Sequence, residues 1–266
     1  MANHHGDFVW YELMTSEAPA AEAFYAGLMG WSFRSADPAG EMEYRIFAKE
    51  GPDAGGMMEI TEEMRAGGAR PLWAGYIGVD DVDETVERLV AEGGTILMGP
   101  MDVEGVGRMA FVEDPQGAPF YVMRGFSRET SQAFAQDAPR EGHCAWNELH
   151  ATDPDRAISF YGACFGWEVA DRMDMGPMGS YEMLRNPPHE TMLGAVMRAT
   201  GDGPAPIWHF YFRVPDIDAA AGYVTANGGS VRGEAQEIPG GEFALNASDP
   251  QGAEFSLIGR RAGGSA

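Results

Sequence analysis

The phrase FYAGLMGW at Phe24–Trp31 returns as FYGACFGW at Phe160–Trp167, with the same opening Phe-Tyr and the same closing Gly-Trp. The offset is 160 − 24 = 136, and the same interval separates Trp10 from Trp146 and Glu12 from Glu148. A second pair, EDPQGAPFYV and SDPQGAEFSL, places Asp114 and Asp249 at 249 − 114 = 135. Two unrelated phrases at intervals of 136 and 135 identify a tandem duplication. The halves run from 1 to 128 and from 139 to 266, joined by the polar stretch GFSRETSQAFAQDAPREG.

Each half divides once more. In the first unit FVWYELMT alternates as a strand, and Thr15 or Ser16 is expected to cap a helix that begins around Pro19. Ala20, Phe24 and Leu28 then share one face, and Gly30 is placed to end the helix in the left-handed conformation. The third unit copies this plan, with Asp153 and Pro154 opening the helix, Ala157, Phe160 and Cys164 on its face, and Gly166 past its end. In the second unit AGYIGV leads to Asp81 as cap, a stripe of Val82, Val86, Leu89 and Val90, and a stop at Gly93 and Gly94. The fourth follows with FYFRV, Asp216, the stripe Ile217, Ala220, Ala221 and Val224, and Gly228 and Gly229. Asp-Pro-Gln-Gly, between the later strands of units two and four, fits a type I turn. Strand, helix and about three strands therefore recur four times, and such units must pair to bury their sheets.

Composition narrows the function classes. Acidic residues outnumber basic ones 41 to 18, a net charge of −23 without a basic patch, which argues against nucleic acid as a partner. Cys144 and Cys164 are too few for a disulfide scaffold and lack zinc-site spacing, so both are expected as reduced thiols. There is no leader pattern at the start of the sequence and no apolar run of membrane-spanning length, so a cytoplasmic protein without membrane partners is expected. His4 and His5 are read as incidental to any metal site. The expected partner is a small-molecule ligand, with the chain a monomer or homodimer.

The four strand-helix-three-strand units, the FYxxxxGW phrase, the Gly-Gly helix ends and the DPxG strands together resemble the vicinal oxygen chelate superfamily, which includes glyoxalase I, bleomycin-resistance proteins and extradiol dioxygenases. The likeness spans almost the whole chain and is closest to duplicated four-module glyoxalase-like proteins. It implies an α+β fold of four βαβββ modules in tandem pairs, forming curved mixed sheets around cavities with helices outside. It further implies a divalent ion held by a first-strand His, Gln or Glu of each paired module and a last-strand Glu. Counted onto this sequence, those slots fall on Trp10, Ala74 and Tyr121 in one half and on Trp146, His209 and Ser256 in the other. Only His209 is a metal ligand, so the inherited metal site is expected to be lost and no cofactor is expected; a divalent metal is disfavoured.

Alternation along strands names the other residues facing each cavity. Trp10 brings Glu12 and Met14; Trp146 brings Cys144, Glu148 and His150; His209 brings Tyr211 and Arg213; Tyr76 accompanies Ala74. Glu148, His150, His209 and Glu12 are the candidate catalytic residues, because an enclosed carboxylate beside imidazoles suits acid–base chemistry near neutral pH. Trp10, Trp146, Tyr76, Tyr121, Tyr211, Arg213 and Ser256 are the candidate substrate-binding residues. His150 stands where the first half has Met14, which points to a site in the second half. The leading expectation is a glyoxalase-like lyase or isomerase moving a proton beside a carbonyl. A non-catalytic binder of small aromatic or drug-like ligands is the alternative, and a metal-dependent lyase or dioxygenase the third.

Overall fold

The structure, a computed structural model, describes residues 3–36, 43–135, 138–199 and 206–262. Gln136 and Asp137 of the joining stretch, like both chain ends, lie outside them. The βαβββ plan is present four times. Module one holds β1 (Phe8–Thr15), α1 (Ala18–Met29), β2 (Ser32–Ser35), β3 (Tyr44–Ala48) and β4 (Asp53–Glu59), followed by the short α2 (Glu62–Ala66). Module two holds β5 (Leu72–Gly78), α3 (Val82–Ala91), β6 (Thr95–Val103), β7 (Gly107–Glu113) and β8 (Pro119–Gly125). Module three holds β9 (Cys144–Ala151), α4 (Pro154–Phe165), β10 (Glu168–Asp174), β11 (Ser180–Arg185) and β12 (Met192–Arg198). Module four holds β13 (Ile207–Val214), α5 (Ile217–Ala226), β14 (Ser230–Ile238), β15 (Glu242–Ser248) and β16 (Glu254–Gly259).

Modules one and two build one eight-stranded sheet in the order β2-β3-β4-β1-β5-β8-β7-β6, and modules three and four build the second as β10-β11-β12-β9-β13-β16-β15-β14. Within each module the first and last strands run parallel while the remaining pairs are antiparallel. Both sheets are therefore mixed.

Packing groups the chain into two compact units, each drawing on both halves. One contains residues 1–9, 74–131 and 146–209, and so joins most of modules two and three; the other contains 10–73, 132–145 and 210–266, and joins modules one and four. The repeated phrases lock each unit. In the first, Tyr161 donates to Asp114 Oδ2 at 3.3 Å and accepts from Trp208 Nε1 at 3.0 Å, while Trp167 Nε1 donates to the Gly6 carbonyl at 2.9 Å. In the second, Tyr25 donates to Asp249 Oδ2 at 3.1 Å and accepts from Trp73 Nε1 at 3.0 Å, and Trp31 Nε1 donates to the Gly142 carbonyl at 2.8 Å. Each Asp also takes two turn amides on Oδ1, from Gln116 and Ala118 or from Gln251 and Ala253. The FY phrase of one module thus clasps the DPQG turn of a module from the other half.

Local expectations hold with four adjustments. Asp81, Asp153 and Asp216 cap their helices, and Gly30 and Gly166 end α1 and α4 at φ 72° and 74°. The N-cap of α1 is Glu17 rather than Thr15 or Ser16, and no side chain caps it there; the Ala18 amide reaches Glu59 Oε2 instead, at 3.0 Å. Ala20 is exposed, because the buried face of α1 passes through Ala18, Ala21, Phe24, Tyr25 and Leu28. Val90 is exposed too, and Thr85 takes the buried place, its hydroxyl satisfied by the Asp81 carbonyl. The joining stretch is not merely polar: Ala133 and Ala135 are buried, and Ala135 bonds the Cys144 carbonyl. Both cysteines are free and buried. Among the described residues no helix is long and apolar enough to cross a membrane.

Candidate acid–base site in the second half

Strand β9 is buried along nearly its whole length, yet alternation still separates its faces: Trp146, Glu148 and His150 project together, and Asn147, Leu149 and Ala151 project oppositely. On the neighbouring strand β12, Ala195 lies opposite Glu148 and Met197 opposite His150. Met197 is in turn opposite Tyr181 of β11, so Tyr181 reaches the same face.

These side chains form one hydrogen-bonded line. Trp146 Nε1 donates to the Tyr181 hydroxyl at 2.7 Å, Tyr181 donates to Glu148 Oε2 at 2.5 Å, and Glu148 Oε1 meets His150 Nε2 at 2.7 Å. The His209 ring lies 4.3 Å from that of His150, tilted by 43°. Sequence reasoning placed Glu148, His150 and His209 on one cavity wall, and the structure brings these three together. Tyr181 was missed. A tyrosine does recur at the third strand of modules one and three, as the first residue of β3 in EYRIF and the second of β11 in SYEML.

Burial acts to raise the pKa of Glu148, but the hydrogen bond and charge of His150, the Tyr181 hydroxyl and the charge of His209 outweigh it, and the carboxyl is held below its ordinary value. Glu148 is therefore ionised near neutral pH, a poor general acid and a strong hydrogen-bond acceptor. The same carboxylate, with burial of the ring acting first, pushes the Tyr181 phenol far up, so Tyr181 stays a donor. An ionised carboxylate can only accept, so His150 Nε2 carries the hydrogen and the lone pair of neutral His150 lies on Nδ1. Nδ1 has no hydrogen-bond partner among the described residues.

The first half repeats only part of this line. Trp10 Nε1 donates to the Tyr44 hydroxyl at 2.9 Å, and Glu12 is buried on β1 opposite Gly56. A Cβ on Gly56 would overlap the Tyr44 phenol, so the glycine makes room for that ring where the second half has Ala195. Met14 and Ala74 stand where the second half has His150 and His209, leaving no imidazole.

The remaining candidates are distributed as follows. Tyr211 lies opposite Ser256 on parallel strands, and Ser256 donates to Asn246 Oδ1 at 2.7 Å. Arg213 is ion-paired with Glu242. Tyr76 and Tyr121 stack on each other in module two.

The donor set does not fit the family's divalent ion. At the inherited slots stand two indoles, each hydrogen-bonded to a tyrosine, a methyl group, a phenol and a serine committed to an amide, with His209 alone as a ligand type. The improvised set of Glu148, His150 and His209 also fails to converge, because Nε2 of His150 faces the carboxylate itself. Among the described residues no group of three or more His, Cys, Asp or Glu side chains is placed to hold a metal ion.

The model of the Glyoxalase/Bleomycin resistance protein/Dioxygenase superfamily matches residues 7–122 and again 142–257. The chain belongs to this superfamily. The two matches follow the two sheets. Among curated proteins, "Putative glyoxylase CFP32" of Mycobacterium tuberculosis is 34% identical over 94% of this chain and 93% of its own length. "Anthracycline biosynthesis protein DnrV" of Streptomyces peucetius is 30% identical over 96% of this chain and 93% of its own. Among solved structures, the Mn(II)-bound glyoxalase from Novosphingobium aromaticivorans superposes with a TM-score of 0.64 at 16% identity, covering 98% of this chain and 84% of that one. At that identity the likeness is one of fold, and manganese is a property of that protein.

Proposed function

We propose that this glyoxalase-superfamily chain is a small-molecule enzyme whose second half moves a proton beside a carbonyl, with His150 as the base and Glu148 as its positioning carboxylate. The observation that carries this reading is the 2.7 Å contact between Glu148 Oε1 and His150 Nε2, which leaves Nδ1 as the lone pair available to a substrate. Nδ1 takes a proton from the carbon beside the carbonyl, the ionised Glu148 stabilises the resulting imidazolium, and the same nitrogen returns the proton to the neighbouring position. Tyr181 and Trp146 hold the carboxylate in place, and His209, beside the imidazole, supplies a second nitrogen for the developing enolate oxygen. This scheme is built from side-chain chemistry alone, because the donor set at the family's metal slots does not assemble a site for the ion. The match to the glyoxalase superfamily model over both halves, and a relative named as a putative glyoxylase, support a small carbonyl compound as the substrate class.

The test is hydrogen exchange into carbonyl probes in deuterium oxide, together with turnover of methylglyoxal in the presence of glutathione. Wild type is expected to catalyse at least one, His150→Ala to lose about 10²–10⁴-fold and Glu148→Gln about 10²-fold. Turnover that survives both substitutions, or a wild type inert to every carbonyl probe, contradicts the proposal.

A further inference from the structure

The segment ahead of β1 forms a strap against module two. The Gly6 amide donates to the Gly78 carbonyl at 2.8 Å, the Gly78 amide donates back to the Asp7 carbonyl at 2.7 Å, and Trp167 Nε1 closes on the Gly6 carbonyl. Gly142 and His143 make the same exchange with Arg213, and there Trp31 takes the place of Trp167. The backbone strap is thus a demand of the fold, met twice. Its side chains are not, because His4 and Asp7 stand where the second strap has Arg140 and His143. The loop that meets Asp7 also departs from the repeat. Six residues, 186–191, join β11 to β12 where four, 49–52, join β3 to β4, and the longer loop carries Asn186 and His189.

Asp7 organises this corner. Its Oδ1 accepts from His189 Nε2 at 2.7 Å and from Asn186 Nδ2 at 2.7 Å, and its Oδ2 accepts from the His4 amide at 2.7 Å. With the ring hydrogen on Nε2 committed to the carboxylate, the lone pair of neutral His189 lies on Nδ1. Among the described residues neither that nitrogen nor the ring of His4 has a hydrogen-bond partner. The two rings stand 5.2 Å apart, centre to centre, at 76°. His5 is of another kind: its Nε2 donates to the Cys164 carbonyl at 3.0 Å and its Nδ1 accepts from the Asp80 amide at 3.3 Å, so both nitrogens are occupied. Of the two adjacent histidines, only His4 has a nitrogen to offer.

We infer that His4 and His189 form a binding site for a borderline divalent cation such as zinc or nickel, with Asp7 as the carboxylate behind one ligand and water completing the coordination. The spacing fits this use, because two imidazoles on one tetrahedral ion, each with a metal–nitrogen bond of about 2.0–2.1 Å, hold their ring centres about 5 Å apart. A ligating histidine ordinarily donates its other N–H to a carboxylate or carbonyl, which fixes the ring and raises its basicity, and His189 already does so. His4 is exposed, so its ring can turn onto the ion. The net charge of −23 favours a cation over an anion here. Bound metal would pin the strap to the β11–β12 loop, two segments of the same compact unit. The site shares no residue with the acid–base line and does not depend on that reading.

The test is a titration of zinc chloride into the untagged protein, followed by calorimetry and by the ring resonances of isotope-labelled histidine, assigned by single replacements. Wild type is expected to take up one zinc ion, with shifts at His4 and His189 and none at His5 or His143. His4→Ala and His189→Ala should each weaken binding about tenfold or more, since the second imidazole adds to the first as an intramolecular ligand. His189→Gln keeps a donor for Asp7 while lacking the imidazole nitrogen, and it too should weaken binding should the alanine variant unfold. His150→Ala should bind zinc as wild type does, which separates this inference from the catalytic proposal. Absence of zinc binding, shifts confined to other histidines, or a folded His189 variant that binds as tightly as wild type would overturn the inference, the last even where His4→Ala abolishes binding.

Discussion

His150 and Met14 occupy the same position of the repeat, and the difference between them puts an imidazole beside Glu148 where the first half has a thioether beyond Glu12. Glu148 is hydrogen-bonded both to His150 and to the Tyr181 hydroxyl. Removing one hydrogen bond to a buried carboxylate weakens its charged form by about 1.5–3 kcal/mol. Tyr181→Phe is therefore expected to raise the pKa of Glu148 and move the acid limb of the pH–rate profile upward, whereas a merely structural loss would lower activity evenly at all pH values. Stability follows the same carboxylate. Because the folded-state pKa of Glu148 lies below its ordinary 4.5, its contribution is present above that value and disappears as pH falls through the folded pKa. Urea unfolding across pH should show wild type more stable than Glu148→Gln at neutral pH, with the gap closing in acid; a gap that widens in acid would contradict the assignment.

At the scale of elements, the FY phrase and the DPQG turn are two parts of one clasp. Tyr161 and Tyr25 are fully buried, and both phenols are held far above their ordinary pKa, first by burial and then by the neighbouring aspartate. Tyr161→Phe leaves a carboxylate oxygen of Asp114 and the indole of Trp208 each short of a partner, and should cost about 1–3 kcal/mol in urea or thermal unfolding, as should Tyr25→Phe. The sequence made the helix ends, the glycine stops and the first aromatic of the phrase readable, because these are local rules of capping and periodicity. The tyrosine's role was not readable. Its partner lies 224 residues away for Tyr25 and 47 residues away for Tyr161, and nothing in spacing along one chain pairs a helix with a turn of another module. The Glu17 cap has a similar cause: the strand-end Glu59 carboxylate satisfies the first amide of α1, so Thr15 and Ser16 are not needed there.

At the scale of the whole molecule, one interval of about 136 residues was enough to specify two sheets of four modules. The same interval now makes each half a reference for the other. The cluster was legible because strand alternation after the count back from FYGACFGW puts Glu148 and His150 on one face, and the family's first-strand slot of module four falls on His209. Tyr181 was not, since it enters that face from two strands away, through β12. Alternation along β13 offered Arg213 as a substrate-binding residue, and its ion pair was not legible because Glu242 sits on another strand. The divergence of the halves carries the account: a polar wall with two imidazoles in the second, and an aromatic, methionine-rich face in the first.

The most direct test is to make the second half resemble the first at a single atom group, by comparing wild type with His150→Met in the deuterium-exchange and turnover assays, with thermal unfolding measured alongside. Turnover is predicted to fall by about 10²–10⁴-fold while the unfolding transition stays cooperative. A folded His150→Met protein that turns over its carbonyl substrate at the wild-type rate would contradict the assignment of His150 as the base.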